Sequence, residues 1–138
     1  MSSHAIPTMR YTNAPRMIDW LCDTFGFERH LVIEGKDNSI HHAQLTIGQG
    51  MIMLGSARDD EFGRLQTVPE KLGGTTQSAY IIVPDVDKIC ESARKAGAKI
   101  VMEPRDEDYG GRGFSCIDPE GHLWNFGTYD PWRADQES

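Results

Sequence analysis

Two adjacent histidines, His41 and His42, are the most metal-like pair in the chain. Neighbours along a strand project to opposite faces, however, so one ion is not easily held by both. His42, in line with Gln44 and Thr46, is the one that reads as a general acid or base, although no orienting partner stands near it in the sequence. His4, His30 and His122 read as surface residues. Glu103, Asp106, Glu107 and Asp108 form an acidic run. Paired carboxylates can do acid–base work, but a run of this kind in a loop reads first as a solvated face. Directly after it, Tyr109-Gly110-Gly111-Arg112-Gly113 offers glycine hinges with Tyr109 and Arg112 able to close over a ligand, or a long hairpin loop. Trp124, Phe126, Tyr129 and Trp132 cluster near the C-terminus as core, as subunit contact, or as a stacking surface for a flat ligand. Cys22, Cys90 and Cys116 match no zinc or CxxC spacing. The chain has no Ser-His-Asp set, no P-loop and no dinucleotide fingerprint; its GGRG lacks the GxGxxG spacing and opens no helix.

The composition frames these groups. Hydrophobic residues at 38% and charged residues at 25% describe a folded globular chain of 138 residues, long enough to bury a core without disulfides. The formal net charge of -7 and the lack of a Lys/Arg cluster argue against a nucleic-acid partner. An acidic surface serves solubility and tolerates cationic ligands. No apolar run approaches a membrane span, and MSSHAIPTMRY has neither the charged nor the apolar region of a signal peptide. With three cysteines in no framework, the expectation is a cytoplasmic protein without a membrane partner.

The elements that must position the groups repeat. AIPTMRY (5–11) reads as a strand; Asn13 caps a helix carrying Met17, Ile18, Leu21, Cys22 and Phe25, which Gly26 ends. FERHLVIEG (27–35) and IHHAQLTI (40–47) are strand-like, and a turn at 48–50 leads to MIML (51–54). The polar stretch 56–77 reads as an irregular linker or flap. SAYIIV (78–83) then opens a second strand, Asp85 caps a second helix ended by Gly97, and AKIVMEP, FSCI and HLWNF supply three more strands. Gly26 and Gly97 lie 71 residues apart, as do Gly50 and Gly121, so two βαβββ units are expected from a duplication. The predicted class is α+β. Module 5–56, flap 57–77 and module 78–129 form one domain, followed by a tail at 130–138.

In IPTMRYTNAPRMIDWLCDTFGF, GQGMIMLG, AYIIVPDVDKICESARKAGA and GRGFSCIDPEGHLWNFGTYDPW, the chain resembles the vicinal oxygen chelate superfamily of glyoxalases, bleomycin-resistance proteins and extradiol dioxygenases. The IPxxR opening is similar to the bleomycin-resistance-like branch. The resemblance implies a curved mixed sheet closing into an open barrel, and a homodimer. In the metalloenzymes of this family the first and last strand of each module supply metal ligands. Carried over, those positions fall on Ile6, Met53, Ser78 and Asn125. Divalent ions want imidazole, carboxylate or thiolate, and none is present here. No metal or other cofactor is therefore expected, and Asn125 reads as a hydrogen-bonding group.

Strand alternation puts Thr8, Arg10, His42, Gln44, Ser78, Tyr80 and Asn125 in a ligand cup, with Met53, Tyr109, Arg112 and Trp124 as further members. The resulting expectation is a metal-free protein that binds an aromatic or cationic small molecule such as an antibiotic, with sequestration as its role. Arg10 in the cup argues instead for an anionic or carbonyl-bearing ligand. The alternatives are a glyoxalase-like lyase or isomerase, or a dioxygenase-like enzyme, with a non-standard or absent metal site, and a regulatory dimer with a vestigial cup.

Overall fold

A computed structural model describes residues 3–133. The chain divides into two compact units between Gly73 and Gly74. The part of the expected tail from 134 onward lies outside the described residues.

The first unit runs β1 (Thr8–Tyr11), α1 (Ala14–Phe25), β2 (Glu28–Glu34), β3 (Ile40–Ile47), β4 (Gly50–Ser56) and a short helix α2 (Pro69–Leu72). Its four strands lie in the order β1-β4-β3-β2, with β1 parallel to β4 and the other pairs antiparallel. Asn13 caps α1 by accepting the Arg16 N–H at 3.2 Å, and Gly26 closes the helix in the left-handed region at φ 89°. Met17, Ile18, Leu21 and Phe25 come to one stripe of α1 and are buried, as are Met9, Tyr11, Ala43, Leu45, Ile52 and Leu54 on the strands. Burying a side chain of this size is worth about 1.5–3 kcal/mol, so this one face carries most of the unit's stability. The alternate residues Thr8, Arg10, His42, Gln44 and Met53 occupy the opposite, open face.

The second unit repeats the plan: β5 (Ala79–Ile82), α3 (Val86–Lys95), β6 (Lys99–Asp106), β7 (Arg112–Ile117) and β8 (Leu123–Gly127), in the order β5-β8-β7-β6. Asp85 caps α3 by accepting the Lys88 N–H at 3.1 Å. Val86, Cys90 and Ala93 are buried on the helix, with Ala79, Ile81, Phe114, Cys116, Trp124 and Phe126 on the sheet.

The expected α+β class and the duplicated βαβββ order are present, as two four-stranded mixed sheets, and among the described residues no barrel closes. Two other expectations change. The stretch 57–77 is not wholly irregular: Pro69 starts a single helical turn that Gly73 ends, too short for a periodic pattern to announce. The charged loop 105–113 is mostly hairpin, because Arg105 pairs with Gly113 and Asp106 with Arg112, leaving 107–111 as the turn.

The glycine register also needs correcting. Gln44 faces Met53 and Ser115 faces Asn125, while Thr8 faces Met53 and Tyr80 faces Asn125. β3 and β7 therefore match at an offset of 71, but β1 with β5 and β4 with β8 match at 72. The additional residue lies in the β7–β8 turn, since Thr46 pairs with Met51 but Ile117 with Leu123. Gly50 opens a strand and Gly121 sits in a turn at φ 94°, so they are not equivalent.

Candidate functional site

Each unit carries a cavity on the face of its sheet away from the helix. In the second unit the centre is Asn125, set opposite Ser115 by the β7–β8 turn and opposite Tyr80 by the parallel pairing of β5 with β8. Asp118 makes that turn: its carboxylate accepts the Glu120 and His122 N–H groups at 2.9 and 3.1 Å, and the Trp124 Nε1–H at 3.0 Å. Trp124 is wholly buried on the helix side. This corrects its place in the cup, because adjacent strand residues cannot share a face and Asn125 takes the open one.

Both protons of the Asn125 amide, and one lone pair of its oxygen, are engaged. Nδ2 donates to Ser78 Oγ at 2.8 Å and to the Ala79 carbonyl at 3.1 Å, and Oδ1 accepts from Ser115 Oγ at 2.7 Å. A carbonyl can only accept, so Ala79 fixes which way the amide points. Nearby, the Tyr80 hydroxyl donates to the Tyr129 carbonyl at 2.7 Å, and burial pushes the Tyr80 phenol up. Tyr109 and Tyr129 meet edge to face with centroids 5.0 Å apart. Asn125, Ser115, Tyr80, Tyr109 and Tyr129 line a cavity of about 390 Å³ together with Met102, Arg105, Glu107 and Arg112, whereas Ser78, expected in the cup, supports Asn125 from outside the lining. The two arginines arrive with partners. Arg105 bonds Glu107, and Arg112 holds Asp87 through two bonds of 2.9 and 3.0 Å and reaches Asp106 at 3.4 Å. The Arg112 hydrogen bonds hold the Asp87 carboxyl below its usual range, and those same bonds raise Arg112. Arg112 thus ties β7 to the start of α3 as well as lining the cavity.

In the first unit Thr8, Arg10, His42 and Met53 line a cavity of about 330 Å³. Gln44 stands beside His42, its Nε2 3.1 Å from the imidazole Nε2, so the orienting partner absent from the sequence pattern is two residues along the same strand. The far wall is the segment expected to be a flap. Gln66 donates to the Thr8 carbonyl at 2.8 Å, Phe62 lies 4.7 Å from the Arg10 guanidinium, and Arg58 donates to the His41 carbonyl at 3.1 Å.

Sequence reasoning missed Arg58, Phe62 and Gln66 because they lie in irregular backbone, where no periodicity assigns a face. Ser115 was available from alternation, since it stands between buried Phe114 and Cys116.

The superfamily's metal does not fit these residues. Ser78 and Asn125 satisfy each other, Met53 offers a thioether, and Ile6 offers no donor. Among the described residues no three His, Cys, Asp or Glu side chains gather where they could hold an ion. No described helix is long and apolar enough to cross a membrane.

The comparisons agree with this architecture. An uncharacterized protein of Mycobacterium bovis is 31% identical over 121 residues, spanning 88% of this chain and 80% of its own length. The crystal structure of TioX from Micromonospora sp. ML1 is 33% identical with a TM-score of 0.71, over 91% of this chain and 98% of TioX. A superfamily member from Sphaerobacter thermophilus shares the fold at 18% identity and a TM-score of 0.69, over 92% and 97% of the two chains. Residues 4–126 match the Glyoxalase/Bleomycin resistance protein/Dioxygenase superfamily, and the chain belongs to it.

Proposed function

We propose that this protein is a metal-free small-molecule binder that holds a flat, N–H-bearing or cationic aromatic compound in the cavity of its second unit, sequestering it, and that it works as a cytoplasmic homodimer. One observation carries the reading: at Asn125, Ser115 and Tyr80 the protons of this face are committed within the unit, while Arg105, Arg112 and Tyr109 in the same lining are also donors. Both Asn125 amide protons, the Ser115 hydroxyl proton and the Tyr80 hydroxyl proton go to partners within the unit. These three side chains offer a ligand lone pairs on Asn125 Oδ1, Ser115 Oγ and Tyr80 Oη, which accept. Acceptors beside the Tyr109 and Tyr129 rings suit a planar donor. The net charge of -7 favours the approach of a cation.

Titration with proflavine, a planar aminoacridinium, tests this. Saturable binding that weakens roughly tenfold in Tyr109→Ala is the expected result, given the worth of one ring contact. Binding indifferent to that change, or equal binding of the anionic dye fluorescein, sinks the proposal. Native mass spectrometry of protein purified without chelator addresses the metal: a stoichiometric zinc, nickel, manganese or iron adduct overturns the metal-free reading.

A second reading has one observation in its favour. The Gln44 amide N–H donates to His42 Nε2 and fixes the imidazole over the first unit's cavity with Nδ1–H as a general acid. Turnover of a 2-oxoaldehyde thiol adduct that is lost in His42→Ala would establish a glyoxalase-like enzyme instead.

A further inference from the structure

The first unit's cavity differs from the second's in having basic side chains and no carboxylate in its lining, where the second has Glu107 beside Arg105 and Arg112. Those basic side chains are Arg10, Arg58, His41 and His42. Arg10 is only 9% exposed. Its guanidinium lies across Gly55, its register partner on β4: a Cβ there would come within 2.6 Å of Arg10 Nη1. The Phe62 ring sits over the same guanidinium at 4.7 Å. Backbone and ring hold the cation flat, as recognition of a planar anion requires.

Arg58 is held as firmly. Its Nε donates to Asp60 at 2.6 Å and its Nη1 to the His41 carbonyl at 3.1 Å. Asp60 also accepts the Gly63 N–H at 2.7 Å, which commits its second oxygen to the loop backbone. Burial first, and then repulsion from Arg58, push the Arg10 guanidinium below its usual range, with Asp60 offsetting part of this. Two fixed guanidiniums at one cavity, with Asp60 offsetting one of the two charges, leave a local positive centre in a chain whose net charge is -7.

We infer that the cavity lined by Arg10, Arg58 and Phe62 binds a small organic oxyanion, a carboxylate or a phosphate ester, with the anionic group on the arginines and the apolar body against Phe62 and Met53. The volume of about 330 Å³ suits a single ring bearing such a group. This site is assigned independently of the second unit's cavity.

Titrations followed by amide NMR on the full chain test it, with benzoate, phenyl phosphate and the neutral isostere benzamide as probes. Benzoate or phenyl phosphate is expected to shift the Gly55 and Phe62 amides saturably with Kd near or below about 10 mM, the range of a one-ring fragment. The tighter of the two identifies the natural anion as carboxylate or phosphate. Added salt weakens the binding. Arg58→Gln, at a position 31% exposed, weakens it roughly tenfold or more, with the urea midpoint measured alongside to confirm that the variant is folded. Gly55→Ala, which displaces the Arg10 guanidinium and crowds the His41 carbonyl that Arg58 bonds, does the same. Benzamide binding as tightly as the anions, no saturable shift with either anion, or unchanged affinity in Arg58→Gln would each overturn the assignment.

Discussion

Replacing Asn125 with aspartate changes one heavy atom, and the network around it predicts a large effect. The amide nitrogen donates to Ser78 Oγ at 2.8 Å and to the Ala79 carbonyl at 3.1 Å. An ionised carboxylate in its place cannot donate to either and sets a charged oxygen against a carbonyl oxygen. Ser78 can turn its hydroxyl and donate instead, so that bond is recoverable; Ala79 has no such freedom. Losing one part-buried hydrogen bond costs about 1 kcal/mol, and leaving a carbonyl facing an anion adds about 1–3 kcal/mol. The expected loss in Asn125→Asp is therefore roughly 2–4 kcal/mol at pH 7, read as a lower urea midpoint at unchanged slope. The sign of its pH dependence follows from the same contacts. The introduced carboxyl, once protonated, can donate to Ala79 as the amide does, so the folded variant holds that proton more tightly than the unfolded chain, where the group titrates near about 3.9. A folded pKa above the unfolded one gives stability that is present in acid and lost as pH rises through the folded value. The deficit against the parent protein is thus full at pH 7 and shrinks on acidification toward pH ~4. A variant as stable as its parent at pH 7, or a deficit that grows in acid, would refute the assigned orientation of the amide.

Asp118→Ala removes the acceptor for two turn N–H groups and for the Trp124 indole, and a loss of about 3 kcal/mol or more is expected in urea unfolding. Trp124→Phe keeps an aromatic ring and removes the donor, so a double-mutant cycle with Asp118→Asn should return a coupling of about 1 kcal/mol or more; a coupling near zero shows that the indole bond contributes nothing. Thiol reactivity should follow burial: Cys116, pushed up to about 12 by burial, and Cys90, also raised and buried, stay unmodified by a disulfide reagent at pH 8 in the folded protein. Cys22, only partly covered, reacts first, and all three react in denaturant; rapid labelling of Cys116 in the native state contradicts the core described here.

Periodicity made the helices and their stops legible. The α1 stripe of Met17, Ile18, Leu21 and Phe25 is buried as its spacing requires, and Asn13 and Asp85 cap the two helices. Alternation separated Ala43 and Leu45 from His42 and Gln44 correctly, because a half-buried strand writes its two faces into every second residue. It failed where it was not applied: Trp124 and Asn125 are neighbours, so they could never face one cavity. The wall formed by Arg58, Phe62 and Gln66 was illegible for another reason. Those residues are placed by three separate contacts to β1 and β3, and irregular backbone carries no period from which such contacts can be read.

The duplication explains why both cavities exist and why their chemistry differs. At the corrected offset of 72, Gly55 corresponds to Gly127, in the repeated contexts Leu54-Gly55-Ser56 and Phe126-Gly127-Thr128. Both glycines are sockets. A Cβ at Gly55 would meet the Arg10 guanidinium, and one at Gly127 would collide with the Tyr80 hydroxyl and ring. In each unit the bare backbone of the last strand lets a long side chain from the first strand lie flat across the open face. The fold supplies the same space twice, and the sequence fills it once with a guanidinium and once with a phenol. Beside those groups stand Met53 in one unit and Asn125 in the other, at equivalent register positions. A shared socket with divergent occupants gives the two open faces different chemistry. A decaying metal site gives no reason for both glycines to stay bare, or for Arg10 to be packed between Gly55 and Phe62.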